Sequence, residues 1–233
     1  HLSIRRQRQM CIRDSPYGIT PMEWHLTDAQ SLAYIDRELS RGAAHSFPPA
    51  EYEIVRRVIY ATGDFEYLSF LRFSDRALSS GAAALAARST IVADSPMVQV
   101  GLTPVIQATF ANPVYCALET LTRPQQGLTQ AAWGMQTLAA RYPEAIFVIG
   151  HAPTALVALV RAIEAGEVQP ALVVAAPAGF LGMEEAKTKL QEANIPHITI
   201  VGEKGGASVS AAIVEGLAEL AWQAYGTAAN LAS

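Results

Sequence analysis

Five times along this chain a short apolar run ends in a turn and opens into a helix-forming stretch. The runs cover residues 89–93, 114–118, 145–149, 171–175 and 197–201. They lead into Asp94-Ser95-Pro96, into a loop over 122–127, into Gly150-His151-Ala152-Pro153, into Ala176-Pro177-Ala178-Gly179-Phe180 and into Gly202-Glu203-Lys204-Gly205-Gly206. Apolar runs of this kind are strands buried on both faces, and strands separated by helices of about twelve residues form a parallel sheet. The predicted fold class is therefore α/β: a single domain, mainly a parallel sheet, with helices on both faces. Pro96 and Pro153 fall in the first helical turn after a strand, which tolerates proline because its missing N–H has no partner to lose. Several helix starts then converge at the carboxyl edge of the sheet, the default ligand site of such folds.

The segment before residue 89 is read from its caps. Thr27-Asp28 can cap a helix through Leu39, with Leu32, Ile35 and Leu39 on one face. Pro49 or Ala50 opens a second helix that Gly63 ends, with Ile54, Val58 and Tyr60-Ala61 turned inward. Residues 67–73 alternate like a strand, and Ser74-Asp75 cap a further helix.

Composition narrows the function classes. The 233 residues are 51% hydrophobic and 16% charged, with a net charge of −4. That excludes a disordered chain and a coiled coil. No apolar run reaches the ~18 residues of a membrane span, and mild acidity argues against a nucleic-acid groove. Two cysteines, Cys11 and Cys116, form neither a disulfide framework nor a metal motif, which points to a reducing, cytoplasmic compartment. Residues 1–15, HLSIRRQRQMCIRDS, hold four Arg against Asp14, while the remainder is acidic. This stretch lacks the apolar core of a secretory signal. It is read as a foreign or disordered leader before a domain over 16–233, and Cys11 is given no role.

Few residues are placed to do chemistry. The turn from Gly202 to Gly206 enters a helix, where free N–H groups could hold an anion, but its glycine spacing is neither a P-loop nor a dinucleotide fingerprint. Phe180 could floor a pocket or fill the core. His151 sits between a strand and a helix N-terminus, where the macrodipole favours neutral imidazole; His197 opens a strand and reads as structural. Asp94 reads as a helix N-cap. Arg56-Arg57 is a pair in an apolar helix, either solvated or clamping a carboxylate from its inner face. No two histidines have metal-ligand spacing, so no metal is expected. A nucleophile elbow is absent, and Cys116 reads as core.

The strings VIGHAPTALVAL, PALVVAAPAGFLGMEEAKTKL and ITIVGEKGGASVSAAIVEGL, with DSPMVQVGLT and VRRVIYATGD, resemble the precorrin-8X methylmutase family, also called cobalt-precorrin-8 methylmutase. The resemblance runs from about Ser31 to Leu220. It implies an α/β homodimer that binds a tetrapyrrole and, without a cofactor, moves a methyl group from C11 to C12 of the corrin ring in cobalamin biosynthesis. It implies substrate contacts at Ser31, Arg57, Asp94, Gly179, Phe180, Lys204, Gly205 and Gly206. The family's catalytic His falls on Tyr60, and His151 stands where its NAPTAL motif has Asn. Glu203, Ala207, Ala186 and Gln130 replace a family Arg, Ser, Ser and Arg. A phenol titrates near pH ~10 and imidazole near ~6.5, so Tyr60 is a poorer proton shuttle, and His151 becomes the candidate surrogate acid. Two readings follow: a methylmutase with a rebuilt acid, or a paralogue that binds a tetrapyrrole without converting it. A nucleotide binder would fit the glycine turn and none of the other strings.

Overall fold

The computed structural model describes residues 26–41, 47–120, 123–124, 127–180 and 183–229. The leader over 1–15 with Cys11, and His1, His25 and His45, lie outside the described residues. In chain order the elements are α1 (Leu26–Arg41), α2 (Pro49–Thr62), α3 (Tyr67–Phe70), β1 (Leu71–Phe73), α4 (Ala77–Ala86), β2 (Ile91–Ala93), α5 (Pro96–Ala108) and β3 (Val114–Cys116). After one 3-10 turn (Ala117–Glu119) come α6 (Gln130–Arg141), β4 (Ile146–Ile149), α7 (Pro153–Glu164), β5 (Leu172–Ala175), α8 (Met183–Glu192), β6 (His197–Ile200) and α9 (Ala207–Ala229).

The strands form one sheet in the order β1-β6-β5-β4-β2-β3. Neighbours run parallel except β1, which pairs antiparallel with β6 at the edge. The sheet divides the core in two, as the period of two in a strand requires. Ile91, Ile146, Val148, Leu172, Val174, Ile198 and Ile200 face a layer that includes α1, α2, α4, α5 and α9. Val92, Phe147, Ile149, Val173 and Ala175 face α6, α7 and α8. Both strand faces are buried, which is why the sequence shows runs rather than alternation. Each such fully buried Val, Leu, Ile or Phe side chain contributes ~1.5–3 kcal/mol.

Pro96 and Pro153 stand in the first turns of α5 and α7. Gly63 ends α2 in the left-handed conformation (φ 66°), its N–H bonded to Ile59 O at 2.8 Å. Three expectations for the segment before residue 89 fail. Ser74-Asp75 do not cap α4, whose N-cap is Arg76. Residues 67–73 are not one strand: α3 occupies Tyr67–Phe70, and only Leu71–Phe73 is extended. Asp64 Oδ1 accepts from Glu66 N and the Phe65 carbonyl from Leu68 N, which winds the chain into a turn; seven alternating residues fit either conformation. Tyr60 and Ala61 are not inward: Tyr60 is 40% exposed because the inner face of α2 is filled by Ile54, Val55, Val58 and Ile59.

Candidate active site

The chain passes from β2 to β3 on one side and returns to β4 on the other, so the crevice at the carboxyl ends of β2 and β4 is the topological switch point where α/β sheets bind ligands. Here Asp94 fills it. This residue follows β2 and is fully buried. Contrary to the N-cap role expected of it, it does not cap α5; Ser95 is the N-cap. Instead Asp94 Oδ2 accepts from the main-chain N–H groups of Gly150, His151 and Ala152 at 3.2, 2.7 and 2.5 Å. Those N–H groups lead into the N-terminus of α7, a natural anion seat, and the anion is the protein's own carboxylate. His151 is fixed by its backbone while its side chain is exposed.

The glycine turn is also largely closed on itself. Gly206 N–H donates to Ala176 O at 2.7 Å, and Gly179 N–H to Glu203 O at 3.1 Å. Gly205 has φ 152°, and a Cβ there would collide with Ala176 O. The glycines therefore serve close approach of two main chains. Lys204 Nζ lies 2.5 Å from both Asp64 Oδ2 and Glu66 Oε2 and sits over the Tyr67 and Phe70 rings. These carboxylates hold its ammonium well above the usual lysine range. Beside this turn Phe180 is 79% exposed, which removes the core alternative for its ring. Lys187 of α8 is buried and donates to Gly202 O at 2.8 Å; burial lowers its pKa to about 8.

An open cleft of about 510 Å³ lies between α1, the end of α2 and the loop after it. Ile35, Ile59, Tyr34 and Phe65 supply its apolar wall, and Ser31 and Tyr60 its hydroxyls. The volume and mixed lining suit part of an organic ligand. Ser31 Oγ donates to Thr27 O at 2.8 Å. The Tyr60 hydroxyl donates to Asp28 Oδ1 at 2.6 Å. That hydrogen bond, then burial, then the charges of Asp28 and Glu215 raise the Tyr60 pKa. The cleft adjoins the glycine turn, since Lys204 grips Asp64 and Glu66 in the loop that carries Gly63 and Phe65. It is lined by neither His151 nor Arg57.

Arg57 lies behind the cleft. It is 3% exposed and bound by carboxylates from two helices: Nε to Glu53 Oε1 at 3.2 Å, Nη2 to Glu219, and Nη1 3.7 Å from Glu215 Oε1. Arg56 pairs with Glu53 and, at 3.0 Å, with Asp36 Oδ2 of α1. The cluster ties α1, α2 and α9 together. Burial raises the Glu219 pKa to about 7, opposed by Arg57 and reinforced by Glu215 and Glu53. His197 is buried at the start of β6 with Nδ1 3.0 Å from Ile195 O, and Cys116 is buried at the end of β3. Among the described residues no group of three His, Cys, Asp or Glu could hold a metal ion.

The family model described as CbiC, precorrin-8X methylmutase, matches residues 27–220. The chain belongs to the precorrin-8X methylmutase family. A cobalt-precorrin-8 methylmutase of Synechocystis sp. is 41% identical over 217 residues, covering 87% of this chain and 98% of the relative. A precorrin-8X methylmutase of Pseudomonas aeruginosa is 36% identical, covering 73% and 85%. The crystal structure of precorrin-8X methylmutase from Thermus thermophilus superposes with a TM-score of 0.76 at 36% identity, covering 86% of this chain and 99% of that one. The methylmutase family name denotes an isomerase, and the mixed α/β sheet is that of its solved relative.

Three residues of this methylmutase fold escaped the sequence reading. Asp28 reads from the sequence only as a cap. Glu219 stands seven residues after buried Ala212 on α9, and Lys187 stands with Met183, Ala186 and Leu190 at inward helical spacing. That spacing was the available signal, since a charged residue on an apolar stripe must find a partner.

Proposed function

We propose that this chain moves a methyl group from C11 to C12 on precorrin-8X or cobalt-precorrin-8, giving hydrogenobyrinate or cobyrinate in cobalamin biosynthesis. The family match over residues 27–220 carries this reading, and the open cleft beside Tyr60 supports it. The reaction is an isomerisation: one C–CH₃ bond breaks as another forms, and no atom is gained or lost. The protein's task is to hold a flat polycarboxylate and fix its protonation; no cofactor is assigned.

In this reading Tyr60 is the hydroxyl that the cleft presents to the macrocycle, and His151, presented by the turn that Asp94 holds, is the surrogate acid. Ser31 offers a hydroxyl within the cleft. Phe180 offers an exposed ring face to the macrocycle. Lys204 exchanges Asp64 and Glu66 for a substrate carboxylate. Gly179, Gly205 and Gly206 keep the main chain low enough for the ring to approach, and Arg57, its charge already met by Glu53, Glu215 and Glu219, serves by fixing α2 against α9. We further infer a cytoplasmic homodimer whose partner is the tetrapyrrole, with neither nucleic acid nor membrane. No helix among the described residues is long and apolar enough to cross a membrane.

The bond from Tyr60 to Asp28 favours a second reading, a paralogue that holds a tetrapyrrole without converting it. Single-turnover absorbance with precorrin-8X and its cobalt form decides. Product formation by the parent that is lost in Tyr60→Phe supports the methylmutase. Tight binding without conversion by the parent establishes the holder.

A further inference from the structure

The cleft contains one feature that neither the family match nor the methyl shift accounts for. The Tyr60 hydroxyl, on the cleft lining, is bonded through its own proton to a carboxylate of a different helix. A phenol has a single O–H. Once that proton is directed at Asp28, the oxygen can only accept from any other group that approaches it. An imidazole at this position could present an N–H donor and recover the proton near neutral pH. The Tyr60–Asp28 pair has the opposite polarity.

We propose that Asp28 is the positioning residue of Tyr60: its carboxylate accepts the hydrogen bond of the hydroxyl, so that Tyr60 meets the substrate as a hydrogen-bond acceptor and not as an acid. The proposal rests on the methylmutase reading for its substrate, a protonated site on the macrocycle, but its geometry stands apart from that reading. Asp28 lies in the first turn of α1, where a carboxylate is favoured by the helix dipole. The 2.6 Å O–H···O contact has the length of a charge-assisted bond. It also fixes the Tyr60 rotamer across the mouth between α1 and α2. Ser31, one turn further along α1, lines the same cleft. Asp28 and Glu215 of α9, both acidic, face Tyr60 among the described residues. Each disfavours the phenolate, so the hydroxyl stays protonated and bonded to Asp28 throughout the neutral range.

The test turns on a sign. Asp28→Asn keeps the shape and removes the charge. If Tyr60 were an acid, the variant would release its proton more readily and the single-turnover rate with precorrin-8X would rise. If Tyr60 is an acceptor held by Asp28, the rate falls by about tenfold, while Tyr60→Phe, which removes the acceptor outright, loses ~10–10². An unchanged or faster rate overturns the proposal. A second readout is independent of turnover: the ring-carbon NMR signal of Tyr60, identified by its loss in Tyr60→Phe, is followed through alkaline titration. It should titrate at lower pH in Asp28→Asn than in the parent; coincident titrations overturn the pairing. A parent that does not convert precorrin-8X removes the methylmutase reading, and the titration still decides the role of Asp28. Equal far-ultraviolet circular dichroism of the three proteins secures the comparison.

Discussion

The switch point of the sheet and the cleft between α1 and α2 each depend on one carboxylate, Asp94 and Asp28, yet they are built in opposite ways. At the switch point Asp94 is buried and its carboxylate consumes three N–H groups, so the place where an α/β sheet ordinarily takes a ligand is filled from within. At the cleft Asp28 binds the hydroxyl of Tyr60, a residue that is 40% exposed, and the space beyond stays open. The same side-chain chemistry makes a rivet in one place and a tuned surface in the other. What differs is how many donors each carboxylate gathers and how much water is excluded around it.

The largest break in that comparison is Asp94→Ala. It orphans three main-chain donors, each worth ~1–3 kcal/mol when buried and unsatisfied. A net loss of about 3 kcal/mol is expected, a fall of ~6–12 °C in the unfolding midpoint for a domain of this size. A variant that melts with the parent would show that the turn after β4 holds itself. Next comes Tyr60→Phe, which leaves the melting temperature within ~2 °C, since the ring keeps its packing, while losing ~10–10² in single-turnover rate. Equal rates would mean that the open region does no chemistry.

A smaller effect separates the two regions by pH. The Glu219 carboxyl titrates at about 7 in the folded protein against an ordinary 4.5. The folded state therefore binds more protons than the unfolded state across that window, and this group's contribution to stability is present below about pH 4.5 and lost as pH rises through 7. Urea unfolding of Glu219→Gln at intervals across the window should show a flatter decline than the parent; parallel curves would refute the assignment. The smallest change is Lys204→Met. Its ammonium is solvent-exposed, so the unfolding midpoint should stay as in the parent, while the dissociation constant for hydrogenobyrinate, read by absorbance titration, rises several-fold. Unaltered binding would remove Lys204 from the substrate's surroundings.

The sequence made the sheet legible because local signals agreed with the global arrangement. Pro96 and Pro153 marked two helix starts, Gly63 marked a helix end, and the apolar runs marked strands covered on both faces. The stretch from Tyr67 to Phe73 misled because its alternation is too short to separate a turn of helix from a strand. The site was less legible for a different reason. The Asp94 carboxylate meets N–H groups 56 to 58 positions away, and Arg57 meets Glu219 across 162. Each partner looks ordinary alone: a cap, a solvated Arg, a surface Glu. Only the family resemblance directed attention to Tyr60, and nothing in its own neighbourhood pointed to Asp28.

The edge strand β1 and the ion pairs around it carry a consequence for how the molecule is made. β1 closes the sheet by pairing with β6, Lys204 holds Asp64 across 140 positions, and α2 packs on α9. The cleft is thus built from the first segment of the described chain but fastened by the last. Contacts at such separation form late, because the intervening loop must be closed before they repay its entropy. During synthesis the walls of the cleft emerge early and wait, with their apolar faces uncovered, until β6 and α9 arrive. A nascent or C-terminally shortened chain would carry Tyr60 and Asp28 without the framework that aims them, so binding competence is a property acquired only at the end of translation.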